Sequence, residues 1–157
     1  MPRYLAIVVA AIALRAVVLL TGCGPSESRV TTQQLEDAIA SAGRPIVVLL
    51  WADWSRASVE LLPTAAELAV EYESSATFWT VCLERTVVEP KGFPLGARHF
   101  VLEGDPTIIL SQYELQDVPA ALLFEPGGKL HAALGSHDDA PLSPADLADA
   151  IESFPTN

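Results

Sequence analysis

Ile46-Val47-Val48-Leu49-Leu50-Trp51-Ala52-Asp53-Trp54-Ser55-Arg56-Ala57-Ser58 is the stretch that decides the fold. Its first half, opened by Arg44-Pro45, is an unbroken apolar run rich in β-branched residues, the pattern of a strand covered on both faces. Ala52-Asp53-Trp54 breaks the run, and Ser55 stands where a helix needs its N-terminal cap. From Ser55 to Glu73 the pattern is helical, with Pro63 inside as an expected kink. A buried strand passing straight into a helix points to an α/β domain.

Working outward, Thr31 or Thr32 caps a helix whose apolar face is Leu35, Ala38, Ile39 and Ala42, and Gly43 ends it. Thr77 to Leu83 reads as a second strand. Residues 84–106 carry Pro90, Gly92, Pro94, Gly96, Gly104 and Pro106, so a long loop insertion is expected there. Ile108 to Leu115 fits a short helix. Ala120 to Glu125, Pro126-Gly127-Gly128 and Lys129 to Leu134 read as strand, turn and strand. Ser143-Pro144-Ala145-Asp146 starts a last helix running to Phe154, with serine as cap, proline in the first turn and a carboxylate three residues on.

The chain has 157 residues, half of them apolar, with 20 Asp and Glu against 9 Lys and Arg. That length suits one domain burying roughly 70% of its unfolded surface. The acidic balance repels phosphate, which argues against a nucleic-acid partner. Cys23 and Cys82 are too few for a disulfide framework and have no metal-site spacing.

Residues 1–22 read as a targeting segment, with Arg3 ahead of an apolar run. Leu20-Thr21-Gly22-Cys23 resembles the lipobox of bacterial lipoproteins, in which the signal peptide is cut before a cysteine that takes the lipid. This implies a lipidated, palmitate-bearing Cys23, a membrane anchor on the periplasmic or extracytoplasmic face, and a flexible tether over 23–31. The alternative is an uncleaved span, in which Arg15 would cost about 2.5–3.5 kcal/mol. Gly24 lacks the aspartate associated with retention at the inner membrane.

Trp51-Ala52-Asp53-Trp54-Ser55-Arg56-Ala57-Ser58 resembles the active-site loop of the thioredoxin superfamily, W-A-x-W-C-x-x-C, with Ser55 and Ser58 in place of both cysteines. The element order agrees, as do Pro63 as the helix-kink proline, Val118-Pro119 as the cis-proline position and Gly135 after the hairpin. Gly43-Arg44-Pro45 through Trp54 is most similar to the C-terminal domain of DsbD-type disulfide reductases. The resemblance implies a thioredoxin-like fold over 32–157, with a central mixed β-sheet flanked by helices. It also implies that Leu49 occupies the place of a buried proton-accepting aspartate. Nucleophile, resolving thiol and base are thus absent together, which implies a redox-inactive domain acting by protein or peptide binding.

Each candidate residue has a plainer alternative. As a nucleophile, Ser55 or Ser58 would need a base, and no His is near in sequence; helix capping by Ser55 is the simpler role. A glutathione-transferase-like use of the serine would need a helical second domain, which this chain is too short to contain. Cys82 is either an inert strand cysteine or a residual redox thiol, for which Arg85 is the one candidate activator. That second option makes the chain a thiol–disulfide oxidoreductase relative retaining some activity. His99, with Arg98 and Lys91, forms a basic cluster. His131 and His137-Asp138-Asp139 lack metal spacing, so neither a metal nor a cofactor is expected. Trp54, Val118 and Pro119 line the groove that redox members use for a partner's extended chain, with the Val118 main chain expected to be free and its bond to Pro119 cis. An unidentified polypeptide is the expected partner.

Overall fold

The computed structural model describes residues 28–84, 90–136 and 140–155. The residues 1–22, Cys23, Arg85 and His137-Asp138-Asp139 of the sequence reading lie outside them. The elements run β1 (Ser28–Val30), α1 (Thr32–Ala40), β2 (Ile46–Trp51), α2 (Arg56–Glu71), β3 (Thr77–Cys82), β4 (Arg98–Leu102), α3 (Pro106–Gln112), β5 (Ala120–Phe124), β6 (Leu130–Leu134) and α4 (Pro144–Glu152). They form a six-stranded sheet in the order β1-β4-β3-β2-β5-β6. The strands from β1 to β2 pair in parallel, while β2 with β5 and β5 with β6 are antiparallel.

All six residues of β2 are buried because the strand is covered on both sides. Its alternate side chains divide between two cores. Ile46, Val48 and Leu50 pack with Leu35 and Ile39 of α1 and Ile109 of α3. Val47 and Leu49 pack with Leu61, Ala65 and Leu68 of α2 and with Leu147, Ile151 and Phe154 around α4. Leu49 is thus an apolar member of the second core.

The helix caps are those the sequence suggests. Thr31 and Gln34 form a reciprocal capping box on α1, and Ser143 caps α4 ahead of Pro144. Pro63 lies inside α2.

Two expectations are corrected. The 84–106 segment is not all loop: Arg98–Leu102 forms β4, inserted between β1 and β3. The tether over 23–31 is likewise shortened, because Ser28–Val30 pairs with Phe100–Leu102 as the sheet's edge strand. Both are short parallel strands whose hydrogen bonds come from distant segments, and so local pattern does not announce them. In addition, α3 starts at Pro106 rather than Ile108, since Asp105 caps it.

Candidate functional site

The loop from β2 to α2 is held by its serines. Ser55 is the N-cap of α2: its Oγ accepts from the Ser58 N–H at 3.3 Å and donates to the Val118 carbonyl at 2.9 Å. Ser58 is buried, and its Oγ accepts from the Ala52 N–H at 3.4 Å. One hydroxyl therefore ties the helix start to the loop before β5, and the other ties it back to the end of β2.

These contacts bear directly on chemistry. Serine becomes a nucleophile when a base stands ready to take its proton. The Ser55 hydroxyl instead donates to the Val118 carbonyl oxygen, which is no base. His99 Nδ1 is 2.8 Å from Thr80 Oγ1, beside Phe93, and His131 is occupied between β6 and α4. Neither described histidine approaches the serines as a hydrogen-bond partner.

Cys82 ends β3 buried against Trp51 and Val101. Burial pushes its thiol above the ordinary range; a backbone hydrogen bond from Glu84 pulls the other way, and the charges of Glu84 and Asp53 add to the rise. A thiol so placed stays protonated and shielded, the reverse of what exchange chemistry requires.

The rim of the loop is open. Trp54 is 64% exposed, whereas Val118 and Pro119 are buried and joined by a cis bond. The Val118 main chain is not free, which corrects the sequence expectation. Its N–H donates to Asp117 Oδ1 at 2.7 Å, and its carbonyl accepts from Ser55. The next carbonyl, that of Pro119, accepts from buried Ser136 at 2.8 Å. On the other side of Trp54, Glu84 Oε1 accepts the Trp54 N–H at 3.4 Å. The Glu84 carboxyl is held above the ordinary carboxylate range, first by burial and then by a hydrogen bond with Asp53. Asp117, Glu84 and Ser136 were missed from sequence. An aspartate next to a Val-Pro pair was the one available signal, since Asp side chains readily bond nearby backbone N–H groups.

A serine, a histidine and a carboxylate do line up elsewhere. Ser153 Oγ is 2.9 Å from His131 Nε2, and His131 Nδ1 is 3.6 Å from Glu125 Oε1. The arrangement is a clasp, not a catalytic site. The Ser153 and Phe154 N–H groups are spent on α4 carbonyls, leaving no donor pair for an oxyanion. Ser153 also sits at the helix C-terminus, whose partial negative charge opposes a second one. An apolar groove of about 830 Å³ runs along α2, between Val59, Leu62, Ala66 and Val70 and the segment Pro90-Lys91-Gly92. Among the described residues, no group of three or more His, Cys, Asp or Glu is placed to hold a metal ion, and no helix is long and apolar enough to cross a membrane.

No protein-family model matches the chain, nor does any curated protein. Solved structures do match. The exposed lipoprotein thioredoxin of Streptococcus pneumoniae is 18% identical, with 73% of this chain and 87% of that one covered and a TM-score of 0.53. A secreted Mycobacterium tuberculosis disulfide oxidoreductase homologous to Escherichia coli DsbE is 15% identical, covering 73% and 85%, again at a TM-score of 0.53. Mitochondrial thioredoxin 3 of Saccharomyces cerevisiae is 14% identical, covering 82% and 96%, also at 0.53. The chain therefore has an α/β thioredoxin-like fold, a mixed sheet flanked by helices.

Proposed function

We propose that this protein is a redox-silent thioredoxin-fold binding module, anchored by a lipid at Cys23 outside the cytoplasm, that takes up a polypeptide at the rim formed by Trp54, Val118 and Pro119. The observation that carries the reading is the Ser55 hydroxyl, hydrogen-bonded at once to the Ser58 N–H and the Val118 carbonyl. It gives the loop a structural reason to keep its shape without sulfur. Retained activity through Cys82 is the rival, and the burial of that thiol speaks against it.

Exposure of the large Trp54 side chain beside buried Ser55, which bonds the Val118 carbonyl, supports a contact surface there. The likeness of Gly43-Arg44-Pro45 through Trp54 to DsbD-type C-terminal domains supports descent from an envelope reductase. The lipid anchor rests on Leu20-Thr21-Gly22-Cys23, and one structural neighbour is itself an exposed lipoprotein.

The test is insulin reduction by dithiothreitol, monitored as turbidity. The protein gives the no-protein rate, and Ser55→Cys/Ser58→Cys forms a disulfide that thiol titration detects. Turnover that persists in Cys82→Ser overturns redox silence. For the anchor, Cys23→Ser abolishes palmitate labelling; a labelled variant overturns it.

A further inference from the structure

A lipid at Cys23 limits how far the domain can stand from a membrane. Cys23 precedes Ser28, the first residue of β1, by five residues, a reach of ~17 Å at full extension. The strand it leads into is fixed, since Ser28–Val30 pairs with Phe100–Leu102 at the edge of the sheet. A bilayer that holds the lipid therefore lies within one short reach of β1 and its partner β4, whatever path the intervening residues take.

That edge carries what a lipid surface would meet. Arg29, Lys91 and Arg98 are three of the six described Lys and Arg, and all three fall on β1, β4 or the segment leading into β4. Of the others, Arg56 and Lys129 are paired with Glu60 and Glu125, while Arg44 donates to the Glu73 and Ser74 carbonyls. With the adjoining sequence included, residues 27–30 and 85–102 hold Arg85 and those three cations against only Glu27 and Glu89, in a chain of net charge −11. Lys91 and Arg98 are exposed on opposite sides of the sheet. Lys91 lines the groove along α2, whereas Arg98 lies 5.1 Å over the Trp79 ring, in the core that α1 covers. One plane meets both where it meets the edge. Between them Leu95, wholly exposed, sits on a turn closed by the Ala97 N–H on the Pro94 carbonyl at 2.9 Å. Along the chain Leu95 is no farther from Phe100 than Cys23 is from Ser28, and those two residues are paired.

Resting on the lipid anchor proposed above, we propose that the β1–β4 edge docks on an anionic phospholipid surface, with Leu95 entering the apolar layer and Lys91 and Arg98 meeting headgroup phosphates. The acidic remainder of the chain is repelled by the same surface, which selects this orientation. Docked so, β2 and the Trp54 rim that follows it stand three strands in, about 14 Å from the edge, open to a partner.

The test places the full lipidated chain in phosphatidylcholine vesicles with or without phosphatidylglycerol. A nitrobenzoxadiazole fluorophore is attached at Leu95→Cys or at Leu130→Cys. Leu130 lies on β6, the opposite edge strand, about 24 Å across the sheet from β1. Buried Cys82 and acylated Cys23 do not compete for the label. Doxyl-labelled lipids quench the fluorophore at 95 and leave that at 130 unquenched; omitting phosphatidylglycerol or raising the salt abolishes the difference. Lys91→Gln/Arg98→Gln abolishes it too, whereas Arg56→Gln/Lys129→Gln does not. Equal quenching at the two positions overturns the docking and leaves the anchor standing. So does quenching at 95 that ignores salt and phosphatidylglycerol, that survives loss of Lys91 and Arg98, or that is lost with Arg56 and Lys129. If the chain does not float with vesicles at all, the anchor reading falls and this inference with it.

Discussion

Replacing Ser55 with alanine removes two buried hydrogen bonds by deleting one atom. The first is the α2 cap, Ser58 N–H to Oγ at 3.3 Å, and losing a serine cap to alanine costs about 1 kcal/mol, with a range of ~0.5–2. The second is Oγ to the Val118 carbonyl at 2.9 Å, whose loss strands a buried acceptor at about 1–2 kcal/mol. Together they predict a loss of about 2–3 kcal/mol. At roughly 3 °C per kcal/mol for a chain of this size, Tm falls by about 6–9 °C. Ser55→Gly separates the two bonds, because glycine caps almost as well as serine; it should lose only about 1–2 kcal/mol. Urea titration followed by tryptophan fluorescence measures both, with the buried Trp51 and Trp79 as reporters and an unchanged denaturant slope as the sign of intact two-state unfolding. If Ser55 were an inert remnant of a lost active site, alanine would be neutral. A Ser55→Ala protein within about 0.5 kcal/mol of the parent refutes the two-bond account.

Cys82 should resist iodoacetamide in the native protein and react at once in denaturant, as a buried thiol with a raised pKa does; modification at the rate of a free thiol would revive a redox role. Glu84 gives a pH signature. Its folded pKa is raised above the ordinary 4.5, so its stabilising contribution is full below that value and is lost as pH rises through the folded one. Glu84→Gln should therefore gain Tm relative to the parent as pH rises above about 4.5, and a gain that does not vary with pH would contradict the assignment. Gly128 has φ +85° and its added Cβ would lie 2.8 Å from Ala40 Cα, whereas Gly127, at φ +86°, faces open space. Gly128→Ala should cost about 3 kcal/mol and Gly127→Ala about 1, and equal losses in thermal unfolding would show that the turn does not press on α1.

The elements readable from sequence are those whose evidence is local. The β2 run is apolar throughout because both its faces are covered, and Ser143-Pro144 announces α4 through the chemistry of a helix start. The same signal was present at Asp105-Pro106, where aspartate caps and proline opens α3, yet the surrounding glycines and prolines made it look like more loop. Five residues of β4 give too little periodicity to stand out between Gly96 and Gly104. What makes Arg98–Leu102 a strand is β3 on one side and β1 on the other, and neither partner is visible from the segment itself.

The site was legible as an absence and illegible as a construction. Ser55 and Ser58 state that no sulfur chemistry passes through this loop, but nothing near them names Val118, a partner 63 residues away. A helix beginning here needs a side-chain acceptor for its first free N–H groups, whether or not it once carried a thiol, and a hydroxyl both accepts and donates where sulfur does each weakly. Serine at both positions thus gives the scaffold hydrogen bonds that sulfur would make only weakly. Those bonds hold the loop, with its exposed Trp54, against the adjoining Val118-Pro119.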